Sequence, residues 1–173
     1  LSDNVSTFYN YHVTATPGPR EYAPTLNFSA RREVFASVGL FDESFPGAAG
    51  EDIDLTLRMR FAGYTLHFVP RVTISHQPSR NSFTKLVTRS FIFGRNMLKV
   101  FWRYREQRPL AFSHRYPGVL ALGAPILAAG VTLKIFLTNP RLWRYGHTLP
   151  AIFAAKMAWR LGGAYQVWKS ELP

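Results

Sequence analysis

The rhythm of hydrophobic and polar positions changes several times along this chain. Near the start, YNYHVTA (9–15) reads as a strand within a mixed polar segment. TPGPREYAP (16–24) carries three prolines and marks a loop. TLNFSA (25–30) reads as a short buried strand, and Arg31 to Val38 as a short helix stopped by Gly39. GLFDESFPGAAG (39–50), rich in Gly, Pro and acids, predicts an exposed loop. From Asp52 the period becomes helical. Ile53, Leu57, Arg60 and Phe61 share one face, Leu55 and Met59 widen it, and Gly63 supplies the stop. YTLHFVP (64–70) and RVTISH (71–76) read as strands separated by Pro70. Strand and helix thus alternate in the first half, which predicts an α/β layered arrangement.

The second half has a different pattern. Over 83–105, Phe83, Leu86, Phe91, Met97, Leu98 and Phe101 follow helical spacing, with Val87, Ser90 and Gly94 between them. Lys85, Arg89, Arg95, Lys99 and Arg103 fall mostly on the other side. Such a basic amphipathic helix can lie in a lipid interface or pack on a protein core. YPGVLALGAPILAAGVTL (116–133) has 18 positions without a charge. That is close to the roughly 20 apolar residues a membrane span needs. LPAIFAAKMAWRLGGAYQVW (149–168) is a second apolar stretch, with Lys156 and Arg160 on one face. It reads as a second span with its cations in a protein-lined groove, or as a surface helix. One or two membrane helices are therefore expected in 108–173, after a domain over 1–107 that includes the basic helix. No internal repeat or low-complexity tract interrupts this plan.

Composition sharpens the picture. The chain has 173 residues, with 21 Lys and Arg against 10 Asp and Glu, a net charge of +11 and a pI near 10.4. Anionic partners are favoured: lipid surfaces, phosphorylated substrates or nucleic acid. With no cysteine, disulfides and thiolate metal sites are excluded. The opening residues show no charged leader before an apolar core, so no signal peptide is expected, and the chain reads as part of a longer protein.

Three of the 10 acids, Glu51, Asp52 and Asp54, sit within four positions at a helix start. Acids there complement the helix dipole, and Asp54 is four residues from Arg58, an ordinary surface ion pair. Capping explains Asp54 well. It explains two adjacent carboxylates after a PGAAG loop poorly.

The N-x-x-x-R-R-E-x-F run from Asn27, the V-G-x-F-D-E turn from Val38 and the G-E-D-x-D-L-x-x-R segment from Gly50 occur in that order. A strand ending in His76 follows. Over roughly residues 20–100 the chain resembles the acceptor-side half of a family 2 glycosyltransferase of the GT-A (Rossmann-like) fold. The resemblance implies transfer of a sugar from a nucleotide-sugar donor to a hydroxyl acceptor, with inversion. It implies that Asp52 is the base that deprotonates the acceptor and that Glu51 orients base or acceptor. It also implies that His76 helps hold a divalent metal, Mg or Mn, on the nucleotide diphosphate. Lipid-linked or cell-envelope acceptors fit a membrane-attached enzyme whose catalytic face is cytoplasmic, since the basic helix precedes the apolar run.

The chain departs from the family pattern in two ways. The only Asp-x-Asp spelling is Asp52-Ile53-Asp54, within the base segment, so the donor-binding half with its own Asp-x-Asp is expected elsewhere and this chain alone is expected to be inactive. Gln77 and Arg80 match the spacing of the Q-x-x-R-W of processive synthases, but Asn81 stands in the Trp position, which favours one sugar per visit. The alternative reading is a noncatalytic membrane-surface or nucleic-acid-binding module built on the basic helix. Nucleic acid is disfavoured because Phe83, Phe91 and Phe101 lie away from most cations. No H-E-x-x-H or similar ligand set points to a metal hydrolase.

Overall fold

The computed structural model describes residues 2–11, 15–45, 49–75 and 82–169. In chain order the elements are α1 (Ser2–Phe8), β1 (Gly18–Arg20), α2 (Arg32–Val38), α3 (Glu51–Phe61), β2 (Leu66–Phe68), α4 (Phe83–Arg103), α5 (Phe112–Arg115), α6 (Pro117–Leu122), α7 (Ala124–Thr138) and α8 (Leu149–Trp168). Short 3-10 turns occupy Tyr9–Tyr11, Thr25–Asn27 and Pro140–Thr148. The chain divides into two compact units, Val13–Ser75 and Leu1–His12 with His76–Pro173.

The first unit is mixed α/β. Its core is Val34, Leu55, Met59 and Leu66, with Phe28, Phe35 and Val38 packed against them. Gly39 (φ 81°) ends α2, where its N–H reaches the Phe35 carbonyl at 2.9 Å. Only a residue tolerant of positive φ turns the chain there cheaply. The N-terminal two-thirds of α3 is buried nearly all round rather than on one stripe, and the expected face residues Arg60 and Phe61 are exposed.

Strand content is lower than the hydrophobic pattern predicts. Among the described residues, pairing is confined to a short antiparallel ribbon of β1 and β2, in which Gly18 faces Phe68 and Arg20 faces Leu66. Thr25–Asn27 forms a 3-10 turn with Leu26 exposed, instead of the buried strand expected. Residues 71–75 form no strand. There the Asn27 side-chain amide donates to the Val72 carbonyl at 3.1 Å, taking an acceptor that a neighbouring strand would otherwise use. Tyr9–Tyr11 is helical, and residues 12–14 of the expected first strand lie outside the described residues. In the predicted exposed loop, Leu40 and Phe41 are exposed, but Phe45, Ala49 and Gly50 are buried.

The second unit is helical. The apolar side of α4, including Met97, Leu98 and Phe101, is buried, and α4 packs against α8. The approach is close because glycine faces backbone on both sides. A Cβ on Gly94 would sit 1.9 Å from the Trp159 carbonyl oxygen, and one on Gly162 would sit 2.0 Å from that of Phe91. Of the two readings of the basic helix, packing on protein therefore describes its apolar side. A further core joins Val5 of α1 to Ile135 and Phe136 of α7 and Ile152 of α8.

The expected membrane helices are not found: no described helix is long and apolar enough to cross a membrane. The uncharged run is split at Gly123 into α6 and the 15-residue α7. Pro125 has no N–H to continue the ladder across that boundary. At 1.5 Å per residue, α7 spans only about 22 Å, short of a hydrocarbon core of about 30 Å. In α8, Lys156 and Arg160 face protein. Lys156 donates to the Ser6 carbonyl, and an Arg160 guanidinium nitrogen lies 3.5 Å from His114 Nε2.

Candidate active site

The acidic cluster forms the first turn of α3. Gly50, buried with φ 102°, lets the chain turn into the helix, and the Asp54 N–H closes the first turn on the Gly50 carbonyl at 2.8 Å. Glu51 and Asp52 then project from adjacent positions where the helix dipole is positive.

The three acids have different surroundings. Asp54 is buried, and its Oδ2 accepts from Arg58 Nε at 2.9 Å. Arg58 also donates to the Val38 carbonyl and, at 2.7 Å, to the Leu40 carbonyl. The pair expected to be an ordinary surface bridge is thus a clamp on the turn after α2. Its carboxylate is satisfied by a cation, which suits structure rather than proton transfer.

Asp52 is partly buried and, among the described residues, forms no ion pair. Its Oδ1 accepts the Ile53 N–H at 2.8 Å. Burial pushes its pKa up to about 6 from the ordinary 3.8, and the neighbouring Glu51 pushes in the same direction. Hydrogen bonds from the Ile53, Asp52 and Thr25 backbone oppose the rise without cancelling it. Oε2 of Glu51 is buried without a hydrogen-bond partner among the described residues. The two carboxylates therefore stand side by side in poorly solvated surroundings, which poise Asp52 to take up a proton near neutral pH.

Thr56, one turn along α3, holds this environment together. Its hydroxyl oxygen accepts the Ala23 N–H at 3.1 Å, and its proton can go to the Asp52 carbonyl at 2.9 Å. This fixes the 23–25 segment, including the Thr25 N–H that reaches Asp52, beside the helix start. Sequence reasoning missed Thr56. Its signal in the sequence is a threonine one turn after Asp52, set between Leu55 and Leu57.

His76, the proposed metal residue, lies outside the described residues, as do Gln77, Arg80 and Asn81. Among the described residues no group of three or more His, Asp or Glu side chains could hold a metal ion. Asp54 is committed to Arg58, and Glu51 with Asp52 supplies two neighbouring carboxylates. The described residues by themselves do not fit a divalent metal site, and no chemical step is routed through one.

In comparisons with known proteins, the family model described as Glycosyl transferase family group 2 matches residues 5–162. No curated protein and no solved structure matches the chain.

Proposed function

The chain belongs to the glycosyl transferase family group 2, and from that premise we propose that Asp52 is the base of an inverting sugar transfer to a hydroxyl acceptor. The family makes the chain a glycosyltransferase, acting between a nucleotide-sugar donor and an acceptor. In the proposed step the acceptor oxygen attacks the anomeric carbon while its proton passes to an Asp52 carboxylate oxygen. The bond from that carbon to the diphosphate oxygen breaks, and the electron pair leaves with the nucleotide. Attack opposite the leaving group inverts the anomeric centre. Glu51 orients the acceptor or the base.

One observation carries this reading. Among the described residues Asp52 forms no ion pair, and burial moves it to about 6, while Asp54 is tied to Arg58. A base of that strength is largely ionised at neutral pH and still accepts a proton in the transition state. With Asp54 so engaged, the chain offers no free Asp-x-Asp. We therefore assign the donor nucleotide, and any Mg or Mn with it, to residues other than those described, so that this chain is the acceptor half. The proposed setting is the cytoplasmic face of a membrane, supported by the excess of cations over acids.

The test is Asp52→Asn in the complete enzyme. We expect kcat to fall roughly 10²- to 10⁴-fold, the usual contribution of a positioned base, with donor binding unchanged. Unaltered turnover in a folded variant would remove Asp52 from the mechanism.

A further inference from the structure

The helical unit leaves one long apolar face uncovered. Leu120, Ala124, Ala128, Thr132, Ile135 and Phe136 are buried on the inner side of α6 and α7. On the outer side, Tyr116, Val119, Leu122, Ile126, Leu133 and Leu137 are all exposed, Leu122 at 85 % and Ile126 at 78 %. Their intervals of 3, 3, 4, 7 and 4 residues keep them on one side of the helical path. Exposed apolar residues scattered singly are ordinary, but an aligned row of this length marks a contact surface.

The surroundings of the stripe point to its occupant. From Gln107 to Ser170 the chain has eight Lys and Arg and no Asp or Glu. Exposed cations edge the stripe: Arg115 at one end, Lys134 along it, and Arg141 and Arg144 beyond the other end. Tyr116 and Trp143, both about half exposed, stand near its two ends, where the aromatic rings of interfacial proteins meet headgroups. Beside Tyr116 a pocket of about 380 Å³ is lined by Trp102, Arg105, Leu110 and Arg115. Two guanidinium groups there suit a phosphate, with apolar walls leading towards the stripe.

We propose that the outer face of α6 and α7 is a docking surface for an anionic lipid bilayer, with acyl chains against the apolar stripe and lipid phosphates on the arginines at its ends. A protein partner would need acids facing these cations and an apolar strip between them, whereas a bilayer presents that order of layers everywhere. At about 22 Å, α7 is suited to lie along the interface rather than across it. The sequence expectation had this same run crossing the bilayer and offered a lipid interface also to the basic helix α4, whose apolar side packs on α8. The assignment rests on the membrane-surface part of the reading above and is independent of Asp52.

The experiment is co-sedimentation of the chain with phosphatidylcholine vesicles and with vesicles containing one quarter phosphatidylglycerol. Leu122→Asp/Ile126→Asp is the test variant. Val72→Asp/Ile74→Asp, which places the same charges at exposed apolar positions of the other unit, is the control. The wild-type chain and the control should bind the anionic vesicles, less so at high salt, and the test variant should bind roughly tenfold more weakly. A natively folded test variant that binds like wild type would overturn this surface while leaving membrane attachment standing. A wild-type chain that binds neither vesicle would overturn both. A wild-type dimer dissolved by the test substitutions, with no vesicle binding, would assign the face to a second copy instead. Should the test variant not fold, quenching of wild-type tryptophan fluorescence by bromine-labelled acyl chains decides: Trp143→Phe should remove part of it, and no quenching at all would overturn the proposal.

Discussion

At the scale of single residues, the site turns on how differently two carboxylates two positions apart are solvated. Asp54 has a guanidinium at 2.9 Å and is satisfied by it, whereas Asp52 has backbone donors, a neighbouring acid and little water. Because burial raises the folded pKa of Asp52 to about 6 from 3.8, the native state binds a proton that the unfolded chain has released between those values. Stability therefore falls as pH rises through that window and stays lower above it. Asp52→Asn removes this penalty. Denaturant unfolding should show the variant more stable than wild type at pH 8, by about 1–3 kcal/mol, with little difference at pH 3.5. Equal stability at both pH values would mean that Asp52 is well solvated and an ordinary surface acid. The sequence revealed the acids, their order and the family pattern around them. Spacing paired Asp54 with Arg58 but could not show that the pair is a clamp with a buried carboxylate, because the Val38 and Leu40 carbonyls that hold Arg58 come from a separate turn.

At the scale of elements, the α4–α8 contact is set by absent side chains. Gly162→Ala would put a Cβ 2.0 Å from the Phe91 carbonyl, so the helices must move apart, at a cost of about 3 kcal/mol in a denaturant melt. Gly130→Ala, on α7 where a Cβ meets open space, should instead stabilise by about 0.5–1 kcal/mol through helix propensity. If both variants lose stability alike, close packing is not the cause. Helix α8 also carries a largely buried cation. Burial, with Arg160 adding to it, lowers the Lys156 pKa to about 8 from 10.5. Between those values the unfolded chain holds the extra proton, so stability rises with pH. Thermal melts of wild type against Lys156→Met should therefore shift in favour of wild type from pH 7 to pH 10, and a constant difference would contradict the burial. His114, lowered to about 4 by burial and the nearby Arg160 and Arg108, gives a rise of the same sign between pH 4 and pH 6.5. Helical periodicity made α4 readable in advance and apolar content marked α8, but the pairing of their glycines was not readable, since spacing along one helix carries no information about which backbone lies opposite.

At the scale of the whole molecule, the proposed division of labour predicts that the chain binds nucleotide sugar weakly. Titration calorimetry with UDP- or GDP-sugars and Mg or Mn should give dissociation constants no tighter than about 1 mM. Micromolar binding would show a donor site within the chain. Family membership, the mixed first half, the helical second half, the cationic balance and the acid cluster were all determined by the sequence alone. Each depends on residue identity and on spacing within one segment, and such properties survive without knowledge of neighbours. Tertiary structure decided the rest. Segments 25–30 and 71–75 had the apolar content of strands but formed none, because a strand exists only when another edge meets it. The apolar side of α4 was claimed by α8, and the uncharged run became two helices with one face inward and one outward. Hydrophobicity states how much surface must leave water, and only the assembled fold determines which part has already done so.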